Sequence, residues 1–266
     1  MTDKTVGFIG TGGISSFVAR GLCSAPEFTG KIILSVHKHR EKAEALKCQF
    51  PERITICEDN QRIVEASDFV VIAVLPQQHE AVAGKLHFTE NNRIIHFTGG
   101  VRLSSCEALY SEAFSAVRSI PLPFTARRSG PILFYGKDEL SRELLSYLGS
   151  IVEVKSEDEL SILGPVTGMM VPYYALLAEY IRWGEKHGLD FRTITDYCCY
   201  MNSALSDFMR TDCTEELEEF LLDNSTPGGV NELGLKLMRE KNGYAPWTEV
   251  LDEVYSHYNK MSREKK

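Results

Sequence analysis

Several features are missing from this sequence of 266 residues, and each absence removes a class of answer. Positive charge is scarce: 29 Lys and Arg stand against 37 Asp and Glu, a formal net charge of −8. An acidic chain without a long basic run is a poor partner for nucleic acid. No uninterrupted apolar run approaches about 18 residues, so no membrane span is expected. The opening Met-Thr-Asp-Lys leads at once into an apolar strand, so no signal peptide is expected either. The cysteines, Cys23, Cys48, Cys57, Cys106, Cys198, Cys199 and Cys213, are odd in number and contain no C-x-x-C pair. They predict free, mostly buried thiols in a reducing cytoplasm. The histidines form no H-E-x-x-H and no close pair beyond His37-x-His39, so no metal is expected. With 43% hydrophobic residues the chain is too apolar for disorder, and 20 Gly and 10 Pro are too few for a collagen-like or low-complexity chain.

What is present changes character near residue 155. Before that point, short apolar segments rich in Val, Ile and Phe alternate with helical stretches. Strands are predicted at Thr5–Ile9, Lys31–Val36, Ile54–Cys57, Phe69–Val74, Arg93–Thr98, Ala116–Ile120, Pro131–Tyr135 and Ile151–Val154. Runs apolar almost throughout suit strands covered on both faces. Their alternation with helices predicts an α/β Rossmann-like, doubly wound parallel sheet in residues 1–155. The remainder, 156–266, reads as all-α. Ser156-x-x-Glu159 is a capping box. A long helix is predicted from about Pro165 to His187, closed by Gly188. Its centre, Met169 to Leu177, is apolar on every side, and such a helix must be buried all round. A unit of this size cannot bury it alone, which predicts a homodimer through the C-terminal helices, or a larger assembly containing one.

Two segments carry candidate chemistry. The first follows the opening strand: Gly10-x-Gly12-x-x-Ser15. Gly10 permits a tight turn, Gly12 lets the backbone approach a pyrophosphate, and small Ser15 lets the helix lie close on the sheet. Gly13 and Ile14 begin that helix, whose free amides and positive dipole end suit phosphates. At the end of the second strand, dinucleotide sites for NAD place an acidic residue on the ribose. Here His37, Lys38, His39 and Arg40 stand instead, with Lys38 and Arg40 best suited to clamp a 2′-phosphate. NADP(H) is therefore expected as cofactor, with NAD(H) as the alternative. Val74, Pro76 and Gln77 after the fourth strand, and Thr98 and Gly99 after the fifth, belong to the same carboxyl edge, where open α/β sheets bind ligands.

The second segment is Ser225-Thr226-Pro227-Gly228-Gly229-Val230-Asn231-Glu232. Thr226 can N-cap, Pro227 suits the first helical position, and two glycines leave amides bare for an anion. Together with the first segment, with Ala73-Val74-x-Pro76-Gln77, with Arg118-x-Ile120-Pro121 and with the apolar helix leading to Glu179, this motif resembles the pyrroline-5-carboxylate reductase family over nearly the whole chain. The resemblance implies NAD(P)H-dependent reduction of a small carboxylated cyclic imine, 1-pyrroline-5-carboxylate to proline in the first instance. It implies a substrate carboxylate on Gly228, Gly229 and Val230, with Thr226 as an extra donor and Tyr173 as a contact. Asn231 stands where the family has the Thr assigned to the imine nitrogen. There are further departures from the family pattern. Leu122 replaces an Asn, and bulky Met169 and Met170 replace small residues. They leave two alternatives: reduction of a different carboxylated cyclic imine, or a catalytically degraded NADP(H)-binding sensor or interaction protein. Related hydroxyacid dehydrogenases use a Lys on the long helix, and this chain has none between Pro165 and Arg182. An imine arrives protonated more readily than a carbonyl, so the missing acid favours imine chemistry.

Overall fold

The computed structural model describes residues 3–36, 40–213 and 216–263. They fall into two compact units: 3–164 with 259–263, and 165–258. The first unit is built on an eight-stranded sheet. Its strands are β1 (Thr5–Ile9), β2 (Lys31–Ser35), β3 (Ile54–Cys57), β4 (Phe69–Ile72), β5 (Arg93–His96), β6 (Ser115–Ile120), β7 (Pro131–Tyr135) and β8 (Ser150–Glu153). Their order is β3-β2-β1-β4-β5-β6-β7-β8, so the chain reverses its direction of travel at β1, between β2 and β4. This is the Rossmann-like arrangement that the sequence predicts.

Alternation within strands distributes the core. Val6 and Phe8 of β1, Ile32 and Leu34 of β2, and Val71 of β4 face one cluster. There they meet Val18, Ala19 and Leu22 of α1 (Gly13–Ser24) and Ala43 and Leu46 of α2 (Arg40–Gln49). Ile9, Val70, Ile72 and Ile94 face the other way, toward Ile63 and Val64 of α3 (Asn60–Glu65) and Ala83 of α4 (His79–Ala83). Each such side chain taken wholly from water contributes about 1.5–3 kcal/mol, which is why these strands read as continuous apolar runs. The helix α5 (Glu139–Ser146) is N-capped by Asp138, whose carboxylate accepts the Ser141 amide at 2.9 Å.

Two strands depart from the expected parallel arrangement: β7 runs antiparallel to β6, and β8, parallel to β7, shares its reversed direction. Only residues 121–130 join β6 to β7, and they form a 3-10 turn, Pro123–Arg127, followed by Arg128 and Gly130 at positive φ. A parallel crossover needs a dozen or more residues and usually a helix, so this connection can only reverse the chain.

α6 (Glu157–Val166) opens with the expected capping box. Ser156 Oγ accepts the Glu159 amide at 3.2 Å, and the Glu159 carboxylate accepts the Lys155 amide at 2.7 Å. A 3-10 turn, Thr167–Met169, leads into α7 (Met170–Lys186). The run Glu157–Lys186 is long and apolar enough to cross a membrane by length and composition alone. Pro165, Gly168 and Pro172 interrupt the apolar pattern in the sequence, yet the helical run continues past them.

The second unit contains α7, α8 (Phe191–Asp212), α9 (Leu217–Asp223), α10 (Val230–Glu240) and most of α11 (Ala245–Arg263). α7 and α8 form a hairpin. Gly188 takes the left-handed conformation at φ 88°, and Asp190 caps α8 by accepting the Thr193 amide at 3.0 Å. Gly184 gives the close approach: a Cβ there would lie 2.5 Å from Ile194 Cγ1. Within one chain, however, α7 is not buried all round as expected. Val171, Tyr174, Tyr180 and Trp183 are exposed, as are Tyr197, Tyr200 and Phe208 on α8. The thiols depart from expectation too. Only Cys106 and Cys198 are buried, and Cys48 and Cys199 are exposed.

Candidate active site

The turn between β1 and α1 is the most fully built feature of the carboxyl edge. Gly10 sits at φ 100°, and a Cβ there would lie 2.6 Å from the Ala73 carbonyl oxygen, so only glycine fits. The turn is held by short polar contacts. The Gly10 amide donates to Ser35 Oγ at 2.7 Å, Thr11 Oγ1 donates to the Ser35 carbonyl at 2.7 Å, and Ser15 Oγ donates to the Gly10 carbonyl at 2.6 Å. Ser15 thus fastens the helix start as well as being small. Gly12 is the N-cap of α1, with no side-chain cap and no acidic residue in the first turn. At Gly12 and Gly13 a Cβ would meet nothing within 4 Å. Backbone and helix dipole therefore face open space, as a pyrophosphate requires. Ile14 is half-buried against the core.

β4 ends at Ile72, and a 3-10 turn of Pro76–Gln78 follows, with Pro76 as its first residue. Gln77 is exposed on that turn and Val74 is half-buried. β5 ends at His96; Thr98 is buried and Gly99 exposed beyond it. Thr98 Oγ1 is buried with no hydrogen-bond partner, an uncommon state for a hydroxyl. The first unit thus brings Gly10, Gly12, Gly13, Ile14, Val74, Pro76, Gln77, Thr98 and Gly99 onto the loops of adjacent strands β1, β4 and β5 at their carboxyl ends. His37 and Lys38 lie outside the described residues. Arg40 opens α2, and its Nη1 donates to Glu58 at 2.6 Å, with Glu44 also in reach at 3.3 Å. These carboxylates hold the guanidinium pKa above its usual value, first through the Glu58 hydrogen bond. A 2′-phosphate would have to compete with Glu58 for it.

The second segment is arranged differently from the expectation. Thr226 does not cap α10. Residues 226–229 form a turn in which the Gly229 amide donates to the Thr226 carbonyl at 2.8 Å, and Gly229 itself is the N-cap. The Gly228 amide donates to Glu232 Oε2 at 2.7 Å. The helix supplies its own carboxylate there, four residues along. Pro227 therefore precedes the helix instead of opening it, and Asn231 lies exposed in the first turn. Tyr173, at the start of α7, donates its hydroxyl to Asn202 Oδ1 of α8 at 2.7 Å.

Two constellations escape sequence reasoning. The first is an ion pair between Arg118 of β6 and Glu157 of α6, 3.1 Å apart, with side chains 2% and 5% exposed. Glu157 also accepts the Leu103 amide at 2.6 Å, the Ser104 amide at 3.1 Å and the Ser104 hydroxyl at 2.8 Å. Burial alone raises its pKa, but these donors and the Arg118 charge outweigh burial and the net shift is downward. A cavity of about 300 Å³ beside it is lined by Ser104, Glu107, Tyr110, Tyr135 and Glu157. The second is a buried set on the opposite side of the β5 backbone from α1. His96 Nε2 lies 3.2 Å from the Val101 carbonyl, His96 Nδ1 lies 3.2 Å from the Tyr110 hydroxyl, and that hydroxyl lies 2.7 Å from His79 Nε2. A carbonyl only accepts, so His96 carries its proton on Nε2 and its Nδ1 accepts from Tyr110. Tyr110 in turn accepts from His79. Burial, with help from the nearby His79 and Arg118, pushes the His96 pKa down to about 3, so the ring is neutral. No spacing rule links positions 79, 96 and 110; only the sheet brings them together.

Comparison with known proteins agrees with this architecture. A family described as NADP oxidoreductase, coenzyme F420-dependent, matches residues 5–97. A pyrroline-5-carboxylate reductase of Methanosarcina acetivorans is 27% identical over 178 residues. That match spans 64% of either chain, short of two thirds of that relative's length. Among solved structures, 1-pyrroline-5-carboxylate reductase from Streptococcus pyogenes superposes with TM-score 0.79 at 19% identity, covering 97% of this chain and 99% of that one. The Plasmodium falciparum pyrroline carboxylate reductase with NADP bound does so with TM-score 0.79 at 16% identity, covering 98% and 99%. This chain is thus similar to pyrroline-5-carboxylate reductases in sequence over part of its length and in fold along nearly the whole of it.

Proposed function

We propose that this protein reduces a carboxylated cyclic imine with NAD(P)H, with 1-pyrroline-5-carboxylate, giving proline, as the first substrate to test. The observation that carries the reading is the β1–α1 turn: a glycine-only bend at Gly10 and an uncapped helix start open at Gly12 and Gly13. The buried, unpartnered Thr98 hydroxyl at the neighbouring strand end suits a ligand that supplies a hydrogen bond. Gly10, Gly12, Gly13 and Ile14 would hold the pyrophosphate. Val74, Pro76, Gln77, Thr98 and Gly99 would border the nicotinamide. His37, Lys38 and Arg40 would favour a 2′-phosphate, and therefore NADP(H) over NAD(H). Such a cofactor supplies the hydride.

The chain's own residues would bind and orient the substrate. Amides at Gly228, Gly229 and Val230 and the Thr226 hydroxyl would take its carboxylate, once Glu232 releases the Gly228 amide. Asn231 would hold the ring nitrogen, and Tyr173 would bound the ring. No lysine acid is needed, because the imine nitrogen is basic enough to arrive protonated. The exposed apolar surface of α7 and α8 would be covered by a second copy in a homodimer or a larger assembly. A soluble cytoplasmic reductase follows from this reading.

The hold of Glu232 on Gly228 specifically favours a second reading, an NADP(H)-binding protein without turnover. NADPH oxidation with a panel of cyclic imines separates the two. Consumption with 1-pyrroline-5-carboxylate supports reduction, and consumption only with a six-membered or thioether ring moves the substrate within the same chemistry. Tight NADPH binding with no turnover on any imine supports the second reading and overturns the first.

A further inference from the structure

Three side chains of metal-ligand type meet beneath the loops that follow β4 and β5. His79 opens α4, His96 ends β5, and Cys106 closes the 3-10 turn Leu103–Cys106. All three are buried, and their donor atoms lie within 4.8 Å of one another. Cys106 Sγ is 3.9 Å from both nitrogens of His79. The phenolic oxygen of Tyr110, itself 4% exposed, touches both imidazoles. We infer that His79, His96 and Cys106 form a binding site for a divalent transition-metal ion of the Zn²⁺ type, with the Tyr110 oxygen as fourth donor.

The donor set selects the ion. Two imidazoles and one thiol, with no carboxylate among them, suit Zn²⁺ and not the oxygen-seeking Mg²⁺ or Ca²⁺. The surroundings supply what such a ligand set needs. His96 already donates Nε2–H to the Val101 carbonyl, which fixes the ring and turns Nδ1 inward, the outer contact that metal-bound histidines usually make. Tetrahedral coordination at Zn–N and Zn–S bond lengths places donors about 3.4–3.6 Å apart. The Cys106–His79 pair must close by about 0.3 Å and no pair by more than about 1.4 Å, which modest side-chain rotation supplies. Binding breaks the Cys106 S–H bond and releases its proton to solvent as the metal–sulfur bond forms. No electron changes hands. Tyr110 ceases to bridge the two rings and turns its oxygen lone pair to the ion.

The site would clamp the loop after β4 to the loop after β5. Those loops carry Val74, Pro76, Gln77, Thr98 and Gly99, yet the inference rests on the ligand cluster alone and stands or falls apart from the cofactor reading. Histidine spacing along the chain carries no sign of it, because the three ligands come from separate segments of the fold.

The test is metal titration of the purified full-length chain. Zn²⁺ binding is read by competition with a chromophoric chelator, and Co²⁺ binding by the thiolate-to-metal charge-transfer band. The inference predicts one ion per chain, a Co²⁺–thiolate band that Zn²⁺ abolishes, and loss of that band in Cys106→Ser. It predicts affinity weakened at least about tenfold in His96→Gln and in Tyr110→Phe. Cys48→Ser and Cys199→Ser, at exposed positions, should bind as wild type. Should Cys106→Ser fail to fold, the wild-type Co²⁺ spectrum still decides. Failure to bind either ion saturably, Co²⁺ binding without a thiolate band, or unchanged affinity in folded Cys106→Ser would overturn the inference.

Discussion

Replacing Glu157 with Gln tests how the first unit is held together at β6 and α6. The carboxylate accepts from Arg118, two backbone amides and one hydroxyl, and Arg118 is 1% exposed. A glutamine keeps the shape, removes the negative charge and turns one acceptor into a donor that faces N–H groups. The buried Arg118 cation then loses the Glu157 charge. Breaking one partner of a buried pair costs about 3–5 kcal/mol, which at about 2–4 °C per kcal/mol for a unit of this size lowers Tm by roughly 6–20 °C. The pH dependence gives a second signature. The folded pKa of Glu157 lies below its ordinary 4.5, so its stabilisation is complete above that value and is lost as pH falls through the folded pKa. The gap between wild type and Glu157→Gln, measured by calorimetry, should therefore be widest near neutrality and shrink in acid. An apolar pair, Arg118→Met with Glu157→Leu, should recover much of the loss. A Tm change under about 2 °C at neutral pH, or a gap that widens in acid, would refute the reasoning.

Further expectations concern the nucleotide turn, the phosphate clamp and assembly. Gly10→Ala strains a position at φ 100° and drives a methyl toward the Ala73 carbonyl; NADPH affinity should fall at least about tenfold, and near-wild-type affinity in the folded variant would contradict the cradle. Lys38→Glu should weaken NADPH much more than NADH, whereas equal loss would remove the 2′-phosphate clamp. Glu58→Gln frees Arg40 from its carboxylate. NADPH should then bind a few-fold tighter at low salt while NADH is unchanged, and no difference would exclude Arg40 from the clamp. Light scattering at micromolar concentration should give at least twice the 29.9 kDa chain mass; a stable monomer would refute a partner-covered α7.

The first unit was legible because its signals are local. Strand identity follows from apolar runs such as Phe69–Ile72, and the nucleotide turn from Gly10 and Gly12 at fixed offsets just after a strand end. The antiparallel β7 was not, because strand polarity depends on the length and turn geometry of residues 121–130 and not on β7's own composition. In the second unit the long helix is legible from its apolar run and Gly188, though α7 begins at Met170 and not at Pro165, and the expected cap at Thr226 is absent. The choice between a threonine hydroxyl, a glycine N-cap and the Glu232 carboxylate is made by backbone conformation, to which composition is blind. The Arg118–Glu157 pair and the His79–Tyr110–His96 chain were invisible for another reason. Their members lie 14 to 39 positions apart, and only strand order makes them neighbours.

Conversion of 1-pyrroline-5-carboxylate with NADPH, followed by product analysis and by loss of NADPH absorbance in the same sample, tests the central claim most directly. Imine reduction predicts one proline formed per NADPH consumed, with the rate lowered in Asn231→Ala and no comparable consumption with 2-oxo acids. Bound NADPH that is never consumed, with 1-pyrroline-5-carboxylate or any other cyclic imine, would contradict it.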